Sequence, residues 1–166
     1  MVKNLILIRH AEATEGSAGL KDIERQLTAK GYSDAPRIGR HLFDNQVVPD
    51  LILSSTAQRA RATADLLAEQ LRYALNQIKY LEELYNASVR SLLAAVSQTH
   101  DSLQTVLLVG HNPAISYLSE YLSGEEIGNM VPASYVHLSF ELDAWQEVSQ
   151  DTGRLILYQP PESIVS

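Results

Sequence analysis

Short, purely apolar runs alternate along most of the chain with longer stretches in which apolar residues recur every three or four positions. Leu5-Ile6-Leu7-Ile8 is the sharpest of the runs, and it stops abruptly at Arg9-His10. A run without polar alternation predicts a strand buried on both faces. In an open α/β sheet, such a strand delivers the residues that follow it to the carboxyl edge, where ligands bind. Leu51-Ile52-Leu53, ending in Ser54-Ser55, repeats the design, as does Thr105 to Val109, which breaks into Gly110-His111-Asn112-Pro113. Ile78 to Leu81, ending at Glu82-Glu83, is a shorter candidate. Tyr32, Ala35, Ile38, Gly39, Leu42 and Phe43 predict a helix over about 29–44 with Thr28 as its N-cap. Pro36 should either kink that helix or mark its true first turn. An alanine-rich face from Ala57 to Leu71 predicts a closely packed second helix, Leu92, Leu93 and Val96 a third, and Ile115, Leu118, Tyr121 and Leu122 a fourth, with Pro113 in its first turn.

The pattern changes after residue 134. Tyr135, His137, Ser139 and Glu141 alternate with Val136, Leu138, Phe140 and Leu142, and Arg154 to Tyr158 is a further apolar run. These predict two final strands in an antiparallel hairpin. The whole then reads as α/β: a three-layer α/β/α sandwich around a mostly parallel sheet, with an antiparallel strand near the C-terminus, in one domain over 1–166. Residues 11–27 lack periodicity and predict a loop that overhangs the carboxyl edge.

Composition narrows the chemistry. A length of 166 residues with 45% hydrophobic and 20% charged content suits a globular domain with a sizeable core. The chain has no cysteine, which excludes disulfides, thiolate nucleophiles and cysteine-based metal sites and fits a cytoplasmic setting. No apolar run approaches the roughly 20 residues of a membrane-spanning helix, and no signal-peptide pattern precedes Arg9. A net charge of −7 without a dense Lys/Arg cluster argues against a nucleic-acid partner. The five histidines show no metal-ligand spacing, so neither a metal nor another cofactor is expected. Three strand ends nonetheless carry anion-binding chemistry: Arg9-His10, then Arg59 and Arg61 just inside the second helix, then His111. Arginine offers a rigid fork of donors, and histidine a neutral ring nitrogen that can attack or relay a proton. A parallel sheet would bring these ends to one edge. Arg61 lies about 200° round the helix from Arg59 and is expected on the surface. His41, His100 and His137 stand outside any motif and are expected to pack or face solvent, and Glu12 and Glu15 to point outward.

Four blocks occur in a telling order. They are Leu7-Ile8-Arg9-His10-Ala11-Glu12, then Arg25 to Gly31, then Ser54 to Thr63, and Val109-Gly110-His111-Asn112-Pro113. Together they resemble the histidine phosphatase superfamily, also called phosphoglycerate mutase-like, and within it the small phosphohistidine phosphatases of the SixA type. The resemblance implies that His10 is a nucleophile attacking phosphorus in line to form a phosphohistidine intermediate. It implies that Arg9, Arg59 and His111 bind the phosphoryl oxygens and that Arg25 approaches them. The arginines would disfavour protonation of His10, while His111 must donate a hydrogen bond. Glu83 is the residue that best matches the acid which many members use to protonate the leaving group. The chain has little room for a lid, so an open pocket is expected, suited to a phosphorylated protein such as a phosphotransfer domain in signalling. A phosphatase for a small phosphate ester or anhydride is the alternative, and a non-catalytic phosphoprotein-binding module a rival of another class. The sequence leaves the oligomeric state open.

Overall fold

The computed structural model describes residues 1–164. Its centre is a six-stranded sheet ordered β3-β2-β4-β1-β5-β6. The strands are β1 (Val2–Arg9), β2 (Leu51–Ser55), β3 (Lys79–Leu81), β4 (Thr105–Gly110), β5 (Tyr135–Glu141) and β6 (Arg154–Gln159). β1 pairs in parallel with β4, and β2 with both β4 and β3, whereas β5 runs antiparallel to β1 and to β6. The helices are α1 (Ala29–Asp44), α2 (Gln58–Leu71), α3 (Val89–Ser97) and α4 (Ala114–Ser123).

The four-residue run in β1 behaves as its pattern requires. Leu5 and Leu7 join the core on one face of the sheet with residues of α3 and α4, and Ile6 and Ile8 join the core on the other with residues of α1 and α2. All four are fully buried, so each side chain contributes roughly 1.5–3 kcal/mol of apolar transfer free energy. β1 is therefore clamped from both sides, and its carboxyl end is a fixed point. The alanines of α2 allow close approach to α1, where a Cβ on Gly39 would press on Gln70. Pro36 lies inside α1 and does not mark its start: Thr28 caps the helix by accepting a hydrogen bond from Gly31, well before the proline. At the amino edge, Lys3 is fully buried, its Nζ donating to the carbonyls of Asp101 and Leu103 beside the Trp145 ring. No helix among the described residues is long and apolar enough to cross a membrane.

Candidate active site

The site begins where β1 ends. Arg9 lies opposite Gly110 of β4, and the His10 N–H donates to the Gly110 carbonyl at 3.1 Å. The chain then turns away under firm restraint. The Ala11 N–H donates to Thr63 Oγ1 at 3.0 Å, and that hydroxyl donates on to the Arg59 carbonyl at 2.7 Å, coupling the residue after His10 to α2. The Glu12 carbonyl accepts from Thr28 N–H at 2.9 Å, and a Cβ at Gly31 would collide with the same oxygen. Glycine is thus required where α1 approaches the loop.

Arg9, His10, Arg25, Arg59 and His111 line one cavity of about 400 Å³, joined by Tyr85, Asn86 and the Asn112–Ala114 segment. Chain segments more than 100 residues apart converge there, as the parallel sheet requires. His10 is buried, and its Nδ1 lies 2.7 Å from the Ala11 carbonyl. A carbonyl can only accept, so Nδ1 carries the hydrogen and Nε2 keeps its lone pair. Burial is the main force holding the His10 pKa down at about 3; the bond to Ala11 opposes it, and His111, Arg59 and Arg9 add to it. The arginines thus contribute as the sequence suggests, but desolvation dominates. His111 stacks at a tilt 5.0 Å from His10, with its Nε2 2.7 Å from Ser55 Oγ. Its pKa is lowered to about 4, first by burial and then by Arg59. Both rings are neutral near pH 7.

Arg9 is anchored by Nη1 donating to the Met130 carbonyl at 2.8 Å, which also accepts from Asn112 Nδ2 at 2.9 Å. Its Nε is buried without a partner among the described residues. An orphaned donor of this kind costs free energy until an acceptor arrives. Arg25 lines the cavity and also forms an ion pair with Asp22 at 3.1 Å. Arg61 turns outward, its guanidinium 4.0 Å over the Tyr80 ring.

Glu83 is not brought to this cavity. It is exposed and lines a separate groove between β3 and α3, together with Lys79 and Ser91. The cause is local. Residues Glu82–Leu84 form a 3-10 turn in which Leu84 is anchored in the core, and Tyr85 then lines the cavity in place of a carboxyl group. Sequence reasoning also passed over Asp22, whose carboxylate accepts from Arg25, Arg59 and the Tyr85 hydroxyl. Those bonds hold it well below the usual carboxylate range, the Tyr85 bond contributing most, then Arg25. Its place three residues before Arg25 was the available signal. Glu12 points to Thr28, as an outward carboxylate should. Among the described residues, no group of three or more His, Asp or Glu is arranged to hold a metal ion.

Buried neutral histidines ringed by arginines at the carboxyl edge of an α/β sheet define a phosphate-handling hydrolase. A profile of the histidine phosphatase superfamily (branch 1) matches residues 5–99, and the chain belongs to that family. The chain is similar to the structure of a putative phosphohistidine phosphatase SixA from Nakamurella multipartitia, with 30% identity, 97% of each chain covered and a TM-score of 0.83. A putative SixA from Agrobacterium tumefaciens is similar at 29% identity over 96% of this chain and 98% of that one, with a TM-score of 0.81. An uncharacterised protein of Mycobacterium tuberculosis is 29% identical over 93% of this chain and 99% of its own length. The protein is a SixA-like phosphatase acting on a phosphorylated substrate.

Proposed function

We propose that the protein removes phosphate from phosphohistidine on another protein, through a covalent intermediate on His10. One observation carries the choice of substrate: no carboxyl group lines the cavity among the described residues. An alkoxide leaving group needs a proton donor, whereas the imidazole of a phosphoramidate leaves with less help. Asp22 stands nearby but is ionised throughout the neutral range, so it cannot supply that proton. His10 Nε2 attacks phosphorus while the bond to the substrate nitrogen breaks, and the departing imidazole takes a proton from solvent. Water then attacks the phosphorylated His10, releasing inorganic phosphate and restoring the ring.

Arg59, Arg25 and the unpartnered Arg9 Nε would bind the nonbridging oxygens, whose charge must be stabilised as the bond loosens. His111 donates through Nδ1 when the Ser55 hydroxyl, which already accepts from the Ala57 N–H, gives its own hydrogen to Nε2.

The test compares a phosphohistidine-bearing phosphotransfer domain with a small aryl phosphate, each against the parent protein and His10→Ala. Rapid loss from the protein substrate, slow ester hydrolysis and a fall of at least about 10³-fold in His10→Ala are expected. Preference for the ester would make the protein a small-molecule phosphatase. Near-parental turnover by His10→Ala would remove the covalent route.

A further inference from the structure

Asp22 opens the 3-10 turn Asp22–Glu24 in the loop that leaves His10, and it is not itself a wall of the cavity. Its acceptors nevertheless meet three residues that are. Oδ1 accepts from Arg25 Nη1 at 3.1 Å, and Oδ2 accepts from Arg59 Nη2 at 3.1 Å and from the Tyr85 hydroxyl at 2.6 Å. The Asp22 carbonyl also accepts from Arg59 Nη1 at 2.8 Å. These partners arise from three separate places: the loop after β1, the first turn of α2 and the segment after β3. One residue therefore ties together elements that share no strand pairing at this level.

The geometry separates two roles that a carboxylate beside arginines can have. A carboxylate inside the cavity would compete with phosphate for the guanidinium groups. Asp22 instead grips them from the outer side, its side chain half exposed. Arg59 has five N–H donors, of which Asp22 takes two, leaving three for a ligand. Fixing the fork beforehand removes the torsional freedom that phosphate would otherwise have to freeze out. The Tyr85 ring is held in the same act, 5.6 Å from His111 and 6.0 Å from the Arg59 guanidinium.

We propose that Asp22 is a positioning residue for phosphoryl binding, gripping Arg25, Arg59 and Tyr85 from outside the cavity so that their remaining donors face the anion. This rests on the reading of the cavity as a phosphoryl site. The experiment is a calorimetric titration of inorganic phosphate into the parent protein, Asp22→Asn, Asp22→Ala, Asp22→Glu and Tyr85→Phe, with melting temperatures and steady-state rates recorded alongside. Asp22→Asn and Asp22→Ala should weaken phosphate binding about tenfold and Tyr85→Phe about threefold. Asp22→Glu should recover part of the loss, and kcat should fall as well as KM rise, because the transition state uses the same donors. Melting temperatures should move little, since the residue is exposed. Phosphate binding as tight as in the parent, or tighter, in Asp22→Asn would overturn the assignment and make Asp22 a competitor. If the Asp22 variants fail to fold, Tyr85→Phe decides, and unchanged affinity there overturns the assignment equally. A parent protein that does not bind phosphate would overturn the phosphoryl reading itself and this assignment with it.

Discussion

On the proposed route His10 must be buried enough to stay neutral and open enough to reach phosphorus, and the same burial ties its ionisation to the stability of the protein. Its folded pKa of about 3 lies below the ordinary value of 6.5. In the acid range the unfolded chain therefore binds the proton first. The stability gained from keeping the ring neutral is complete above pH 6.5 and is lost progressively as pH falls toward 3. Between pH 7 and pH 5 the His10 share of that loss is about 2 kcal/mol. Urea unfolding of the parent and of His10→Gln at both pH values should show it as a steeper pH dependence in the parent. Equal slopes would mean that the folded protein does not hold His10 neutral. Asp22 does not enter this window, because its pKa is depressed and its contribution is lost only at lower pH.

Elements decide where such residues point, and they set how much of the site could be read in advance. Leu5 to Ile8 announced β1, and Arg9, His10, Arg59 and His111 were legible because each follows closely on a buried strand, whose end the sheet topology fixes. Glu83 misled because it lies inside the three-residue 3-10 turn that follows β3, off the strand register. With about 120° between successive residues, burying Leu84 turns its neighbour away. Asp22 and Tyr85 were illegible for another reason. They meet across 63 residues in irregular segments, which no periodicity marks. The loop after His10 depends equally on one contact at the start of α1, where the Glu12 carbonyl needs the space beside Gly31. Gly31→Ala, although helix-favouring in isolation, should cost about 1–3 kcal/mol and reduce turnover by displacing this loop. Thermal unfolding and a rate measurement on one preparation would check both effects.

Across the whole molecule the two ends of β1 serve different purposes. Its carboxyl end carries the candidate site, while its amino end is packed under Trp145, whose Nε1 donates to the Leu103 carbonyl at 2.8 Å and whose ring is fully buried. Trp145→Ala should lower stability by about 3–5 kcal/mol yet leave kcat within about twofold wherever the protein remains folded. Denaturant melts paired with rates below the transition would separate the two ends. The net charge of −7 leaves the arginines of the cavity as a local exception, so capture of a phosphorylated substrate gains little from the long-range field. A last consequence follows from the lining of that cavity, which lacks a carboxylate among the described residues. The same lack that suits a departing imidazole also deprives the attacking water of a base in the second half-reaction. On the proposed covalent route, clearing the phosphorylated enzyme is then the expected slow step. Rapid mixing should yield a burst of dephosphorylated partner, one equivalent per site, before a slower linear phase, so that scarce enzyme acts first as a stoichiometric sink for phosphate and only afterwards as a catalyst.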